Sequence, residues 1–209
     1  MTASRRPVVA AFDVDGTLTT RDCVTPFLYR TVGLRAALAL VRQPVRMSRA
    51  LARHDRDSIK AVVCTAFAGL DAEAVDAQGV TFAKEIERRW LRPDTLARLQ
   101  RHRELGHVVV LVSASLDPYL VPFGSSIGAT GVVCTELGRD LHGVLTGQLV
   151  GPNCRGPEKV RRLEHWLTAS GMADAVVWAY GDSAGDDALL DRADHPIRVG
   201  RGHVAAEPV

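Results

Sequence analysis

The stretch Val8-Val9-Ala10-Ala11-Phe12-Asp13-Val14-Asp15-Gly16-Thr17 decides how the rest of the chain is read. Five apolar residues without polar alternation predict a short strand buried on both faces, of the kind found at the centre of a parallel sheet. The run ends in two carboxylates one residue apart. Acids so placed repel each other and must be hydrated, paired or bound to a metal. Such a pair adds nothing to stability, so chemistry is expected where the strand ends.

Beyond Thr20 the periodicity becomes helical. Leu34, Ala37, Leu38 and Val41 are spaced i, i+3, i+4, i+7, the pattern of an amphipathic helix. Met47, Ala50 and Leu51 continue a helical stripe past Pro44. Ile59, Val62, Val63 and Ala66 repeat it up to Gly69, and Val75, Phe82, Ile86 and Trp90 mark a helix that ends before Pro93. Residues 21–92 are therefore expected to form a helical cap inserted into a core made of residues 1–20 and 93–209. From Pro93 onward, helix and strand alternate. Strands are expected at Val108–Val112, ending in Ser113, at Gly131–Cys134, at Ala175–Tyr180, running into Gly181-Asp182, and at Ile197–Val199. Helices are expected from Asp94 to Gly106, over Pro118–Ile127, over Pro157–Ala169 and over Asp186–Arg192, with a hairpin or flap within 135–151. This alternation predicts an α/β fold: a Rossmann-like three-layer sandwich around a central, mainly parallel sheet, plus the inserted helical cap. In such sheets reactive groups gather at the carboxyl ends of the strands. Asp13, Ser113 and Asp182 then open into one crevice.

The crevice would collect Asp13, Asp15, Asp182, Asp186 and Asp187, with Lys159 at the start of a helix. So many carboxylates cannot stay ionised together without a cation. Oxygen donors without nearby His or Cys point to a hard metal, Mg²⁺. A lysine and a serine hydroxyl beside it suit a phosphoryl group. Of 209 residues, 46% are hydrophobic and 24% charged, and the formal net charge is +2. With no dense basic run, nucleic acid is excluded as a partner. Cys23, Cys64, Cys134 and Cys154 form no Cys-x-x-Cys pair and read as reduced thiols. The histidines show no ligand spacing, and Trp90, Trp166 and Trp178 read as core. Ser4-Arg5-Arg6 faintly resembles a twin-arginine signal, but Asp13 cuts its apolar stretch short. No apolar run approaches the roughly 18 residues of a membrane span, so a soluble, cytoplasmic protein is expected.

Four motifs in order resemble the haloacid dehalogenase-like superfamily, in its phosphoserine phosphatase-like branch. They are Asp13-Val14-Asp15-Gly16-Thr17, Val109–Ser113, Gly156-Pro157-Glu158-Lys159 and Gly181-Asp182-Ser183-Ala184-Gly185-Asp186. The resemblance implies that Asp13 attacks phosphorus to form an aspartyl-phosphate. Asp15 would protonate the leaving oxygen and then take a proton from water. Mg²⁺ would be held by Asp13, the carbonyl of Asp15, and Asp182, with Asp186 outside the direct ligands. Ser113 and Lys159 would bind phosphate oxygens. The implied activity is Mg²⁺-dependent hydrolysis of a small phosphomonoester. A phosphotransferase is the rival enzyme, and a phosphoryl-ligand-binding module without turnover is the rival non-enzyme.

Specificity should lie in the cap. Phosphoserine phosphatases carry a glutamate nine residues after the nucleophile, where this chain has Asp22. They also carry a cap arginine four residues after a serine; counted from Ser58, that position is Val62, with Lys60 as a neighbouring cation. Other members of the branch act on lipid phosphates of the phosphatidylglycerophosphate type. The stripe Leu34–Val41 with Arg42, Arg46, Arg49 and Arg53 has the make-up of a helix that touches an anionic membrane. An ordinary cap helix with solvated arginines is the reading taken for it here.

Overall fold

The computed structural model describes residues 6–53 and 55–200. Residues 1–5, His54 and the tail from residue 201, including His203 and most of the twin-arginine-like stretch, lie outside the described residues. Strand β1 (Val8–Phe12) is the middle of a five-stranded sheet with β2 (Val108–Leu116), β3 (Gly131–Thr135), β6 (Val176–Gly181) and β7 (His195–Arg198), in the order β3-β2-β1-β6-β7. Every pairing in it is parallel. The chain order reverses at β1, so the crevice at the carboxyl ends of β1 and β6 is the switch point.

Alternation along the strands divides the interior into two layers. Ala10, Phe12, Val109, Leu111 and Tyr180 belong to one buried cluster, and Val9, Ala11, Val110, Val112, Val177 and Ala179 to the other. On the first face lie α6 (Pro93–Glu104) and α7 (Asp117–Ser126); on the second lie α8 (Pro157–Ala169) and α9 (Asp187–Arg192). Both faces of β1 are thus covered, which is why it has no polar position before Asp13. One strand and one helix differ from expectation. β2 does not end at Ser113 but runs on to Leu116, its register with β3 shifting between Val112 and Leu116. The last helix starts with a 3-10 turn, Ala184–Asp186, closed by a reciprocal Ser183–Asp186 capping box.

Between β1 and α6 the chain forms α1 (Val24–Val32), α2 (Leu34–Arg42), α3 (Pro44–Ala52), α4 (Arg56–Cys64) and α5 (Ala72–Arg89). It leaves and returns through a bridge between Thr19 and Leu91. These helices share a core with the sheet. Phe27 and Phe82 pack on Tyr119 of α7 with ring centroids 4.8 and 5.3 Å away. A Cβ on Gly79 of α5 would lie 2.0 Å from the Pro118 carbonyl oxygen. The hairpin of β4 (Leu137–Arg139) and β5 (Leu145–Leu149) closes the side, with Leu145 and Leu70 and Gly69 exchanging backbone hydrogen bonds of 2.8 Å. The stripe Leu34, Ala37, Leu38 and Val41 turns outward: all four are exposed, and the buried residue of α2 is Ala39. The four cysteines are free and buried, and burial pushes the Cys64 and Cys154 thiols up to about 11.

The close seat of α5 on α7 makes Gly79→Ala an overpacking substitution. It is expected to cost about 1–3 kcal/mol, read as a lower urea midpoint at unchanged slope. His102 supplies a pH test. It is buried against Phe12, Trp178 and Tyr180, and its Nε2 lies 2.9 Å from the Tyr180 hydroxyl. Burial, aided by His107, pushes its imidazole down to about 3. Its contribution to stability is therefore complete above the unfolded value near 6.5 and is lost as pH falls from there toward 3. Between pH 6.5 and 5 the stability advantage of wild type over His102→Gln should shrink by about 2 kcal/mol in urea titrations.

Candidate active site

Asp13 follows the last residue of β1, and its amide donates to the Tyr180 carbonyl at 2.9 Å. Its side chain is buried, with Lys159 Nζ 2.6 Å from Oδ1 and the Thr17 hydroxyl donating to Oδ2 at 3.2 Å. Lys159 lies in the first turn of α8, itself buried, and its ammonium also reaches Asp186 Oδ1 at 2.5 Å. The other oxygen of Asp186 accepts from the Ser183 amide (3.1 Å) and hydroxyl (2.9 Å). Burial alone would push the lysine down; the two carboxylates outweigh it and hold Lys159 above its ordinary value. Burial raises Asp13 despite Lys159, with the charges of Asp186 and Asp15 adding to the rise. Asp186 is pushed up by burial, but Lys159 outweighs this and keeps it below the usual range.

Asp15 is held from two sides. Its Oδ1 accepts from the Cys23 amide and its Oδ2 from the Ser115 hydroxyl, both at 2.9 Å. Burial, with Asp22 second, raises its carboxyl above the ordinary value. Ser113 is buried, lines the cavity, and accepts from the Ser115 amide at 3.1 Å. Asp22 also lines the cavity, but its carboxylate accepts from the Val24 and Thr25 amides at 3.0 and 3.1 Å and so caps α1. Val62 is 2% exposed and is not among the cavity residues.

These side chains face one cavity of about 440 Å³. Its remaining wall brings in Arg21, Arg56, Lys60, Asn153 and Arg155, which the motifs did not single out as site residues. Lys60 donates to the Ala114 carbonyl and, at 2.9 Å, to Asn153 Oδ1. Asn153 in turn donates to Asp57 at 2.7 Å and accepts from Thr135 at 2.8 Å. This clasp joins α4 to the loops at the sheet's carboxyl edge. Burial lowers Lys60. Two signals bore on these partners: Lys60 is a cation near the expected arginine position, and Ser113 and Ser115 are two apart and share a face of β2.

The donor set fits a divalent cation. Carboxylate oxygens of Asp13, Asp182 and Asp186 lie within 4.8 Å of one another. Asp186 spends both oxygens on Lys159 and Ser183, whereas Asp182 Oδ1 is buried without a hydrogen-bond partner. Burial, then Asp186, raises Asp182. Gly16 makes room for it: at φ 86° a Cβ there would meet Asp182 Oδ2 at 2.3 Å. An orphaned anionic oxygen in an all-oxygen set is what a hard cation satisfies.

A family model described as haloacid dehalogenase-like hydrolase matches residues 10–191. Protein CicA of Caulobacter vibrioides is 33% identical over 201 residues, covering 95% of this chain and 89% of that protein. Phosphoserine phosphatase SerB2 of Mycobacterium tuberculosis is 27% identical over 91% of this chain, which spans 44% of that protein. Among solved structures, a Bordetella pertussis Tohama I protein of unknown function superposes with a TM-score of 0.72 at 22% identity, covering 93% of this chain and 90% of its own. A substrate-bound phosphoserine phosphatase complex gives 0.63 at 17% identity, covering 94% and 87%. The likenesses at this identity carry the fold.

Two outcomes test the site without any substrate. Lys159→Met removes the cation between two buried carboxylates and should cost about 3–5 kcal/mol in urea unfolding. Added Mg²⁺ should raise the melting temperature of the wild type, with EDTA reversing the rise, and Asp182→Asn should show no shift.

Proposed function

The chain belongs to the haloacid dehalogenase-like hydrolases, and from that premise we propose that it is a Mg²⁺-dependent phosphatase acting on a small phosphomonoester. The observation that carries this reading is the division of labour between two carboxylates two residues apart. Asp13 sits on the buried ammonium of Lys159 beside the orphaned oxygen of Asp182, while Asp15 is held by the Ser115 hydroxyl and the Cys23 amide.

In this mechanism Lys159 and the Ser113 hydroxyl take phosphate oxygens and orient the phosphorus toward Asp13. Asp13 is the nucleophile: its oxygen bonds to phosphorus as the ester oxygen leaves, giving an aspartyl-phosphate on the protein. Asp15 gives its proton to the leaving oxygen and later accepts one from the water that hydrolyses the intermediate. Its raised carboxyl, held in place by the Ser115 hydroxyl, supports that task at neutral pH. Mg²⁺ would be held by Asp13, the Asp15 carbonyl and Asp182, and would offset the charge of the phosphate. Asp186 acts as a positioning residue through Lys159 and Ser183. Residues 21–92 act as the cap, which brings Asp22, Arg56 and Lys60 to the cavity wall.

Phosphoserine phosphatase proper is the second reading. Arg56 at the cavity wall favours it, since a guanidinium suits a substrate carboxylate. Asp22 weighs against it, because it is one methylene shorter than the glutamate of those enzymes and is held at the start of α1 by two amides.

A phosphate-release screen over phosphorylated metabolites, run with Mg²⁺ and with EDTA, is expected to give turnover only with the metal. Asp13→Asn should lower the rate at least about a thousandfold while the protein stays folded. Wild-type rates in Asp13→Asn would refute the mechanism. Phosphate appearing on an acceptor in place of free phosphate would make the enzyme a transferase, and tight phosphate binding without turnover would make it a binding module.

A further inference from the structure

The outward stripe of α2 is part of a larger surface. Tyr29 at the end of α1, Leu34, Leu38 and Val41 along α2, and Val45 at the start of α3 are 81%, 84%, 48%, 74% and 58% exposed. Residues 24–53 also contain six arginines, at 30, 35, 42, 46, 49 and 53, and no aspartate or glutamate, although the chain as a whole has 24 acids against 26 Lys and Arg. Arg30 has an acidic partner in Glu85; Arg46 bonds only the amide side chain of Gln43, and Arg35 a backbone carbonyl. Arg46, Arg49 and Arg53 line one groove beside Ala50, with Asp55 of the following turn at the same groove. An amphipathic helix in a soluble layer turns its apolar side inward. Here the core side of α2 is alanine, and leucine and valine face out among arginines.

We propose that the α1–α3 surface docks on an anionic lipid bilayer. The charge pattern selects this occupant. A second copy meeting it through the same face would set six arginines against six, with no acid within residues 24–53 to answer them. A bilayer carrying anionic headgroups answers the arginines, and its acyl boundary takes Leu34, Leu38 and Val41. Tyr29 has the amphipathic ring that settles at headgroup level. The helices α1 and α2 are nine residues each and bend by 97° between them, so neither is long enough to cross a bilayer, and in this proposal they lie on its surface. The ends of this surface reach the site: Val24 of α1 and Arg56 of α4 line the catalytic cavity. The docking itself does not depend on the phosphatase reading.

The test is flotation of the full chain with vesicles. Wild type should float with vesicles of phosphatidylcholine containing about 30 mol% phosphatidylglycerol and much less with phosphatidylcholine alone. Raising salt from about 50 to about 500 mM should release it. Leu38→Asp with Val41→Asp should abolish flotation, with an unchanged melting temperature because both positions are exposed. Arg42→Gln, Arg46→Gln and Arg49→Gln together should weaken partitioning roughly a hundredfold, about fivefold for each arginine. No flotation of wild type at low salt, or equal flotation of both variants, overturns the proposal. A wild-type dimer in sedimentation equilibrium that Leu38→Asp with Val41→Asp dissolves also overturns it, and makes a second copy the occupant.

Discussion

The structure depends on one ammonium. Lys159 is buried between Asp13 and Asp186, 2.6 and 2.5 Å from their oxygens, and it joins three separate pieces of chain: the end of β1, the start of α8 and the turn after β6. A buried ion group of this kind is a weak source of net stability, because desolvation offsets most of the attraction. What it secures is arrangement. With Lys159 present, Asp13 has one oxygen on the ammonium and the other on the Thr17 hydroxyl, and Asp186 has both oxygens bonded. Asp182 is then the acid left with an unanswered oxygen. The site is therefore sorted before any ligand enters.

The fold was legible because its strands announce themselves. Val8–Phe12, Val108–Val112 and Ala175–Tyr180 are apolar runs without alternation, and they lead into Asp13, Ser113 and, past Gly181, Asp182. That pattern fixes a parallel sheet with both faces covered, and it places Asp13, Ser113 and Asp182 on one edge. It does not fix where pairing stops. Ser113 marks the point where β2 changes register against β3, and three further residues stay in the strand. Those residues supply Ser115, the partner of Asp15.

The cap side of the site was legible only in part, and for two physical reasons. Periodicity gives a helix a face but not a direction, so the stripe from Leu34 to Val41 could be counted without learning that it points outward. Tertiary packing decides that, through Ala39 and the aromatic seat of Phe27, Phe82 and Tyr119. The cavity wall is built from partners far apart in sequence: Asn153 meets Lys60 and Asp57 across more than ninety positions. No local signal encodes such a contact. Asp22 carried a local signal that admits two readings. An aspartate just before Val24-Thr25-Pro26 is a helix cap by its position, and the structure uses it so, while its charge still bears on Asp15.

That last arrangement ties α1 to the candidate site. Asp22 and Asp15 both sit at the amino end of α1, where unpaired amides and the helix dipole favour negative charge. Asp22 takes the Val24 and Thr25 amides, and Asp15 takes the Cys23 amide. The amide stabilises the ionised form of Asp15, and the neighbouring Asp22 opposes it. A displacement of α1 that lengthens the Cys23 contact removes a donor from Asp15 and pushes its carboxyl further up. One that draws Asp22 away lowers it. Burial is the largest cause of the rise at Asp15, and the start of α1 adjusts it through the Cys23 amide and Asp22. The same helix continues through Gly33 into the one that carries the outward stripe.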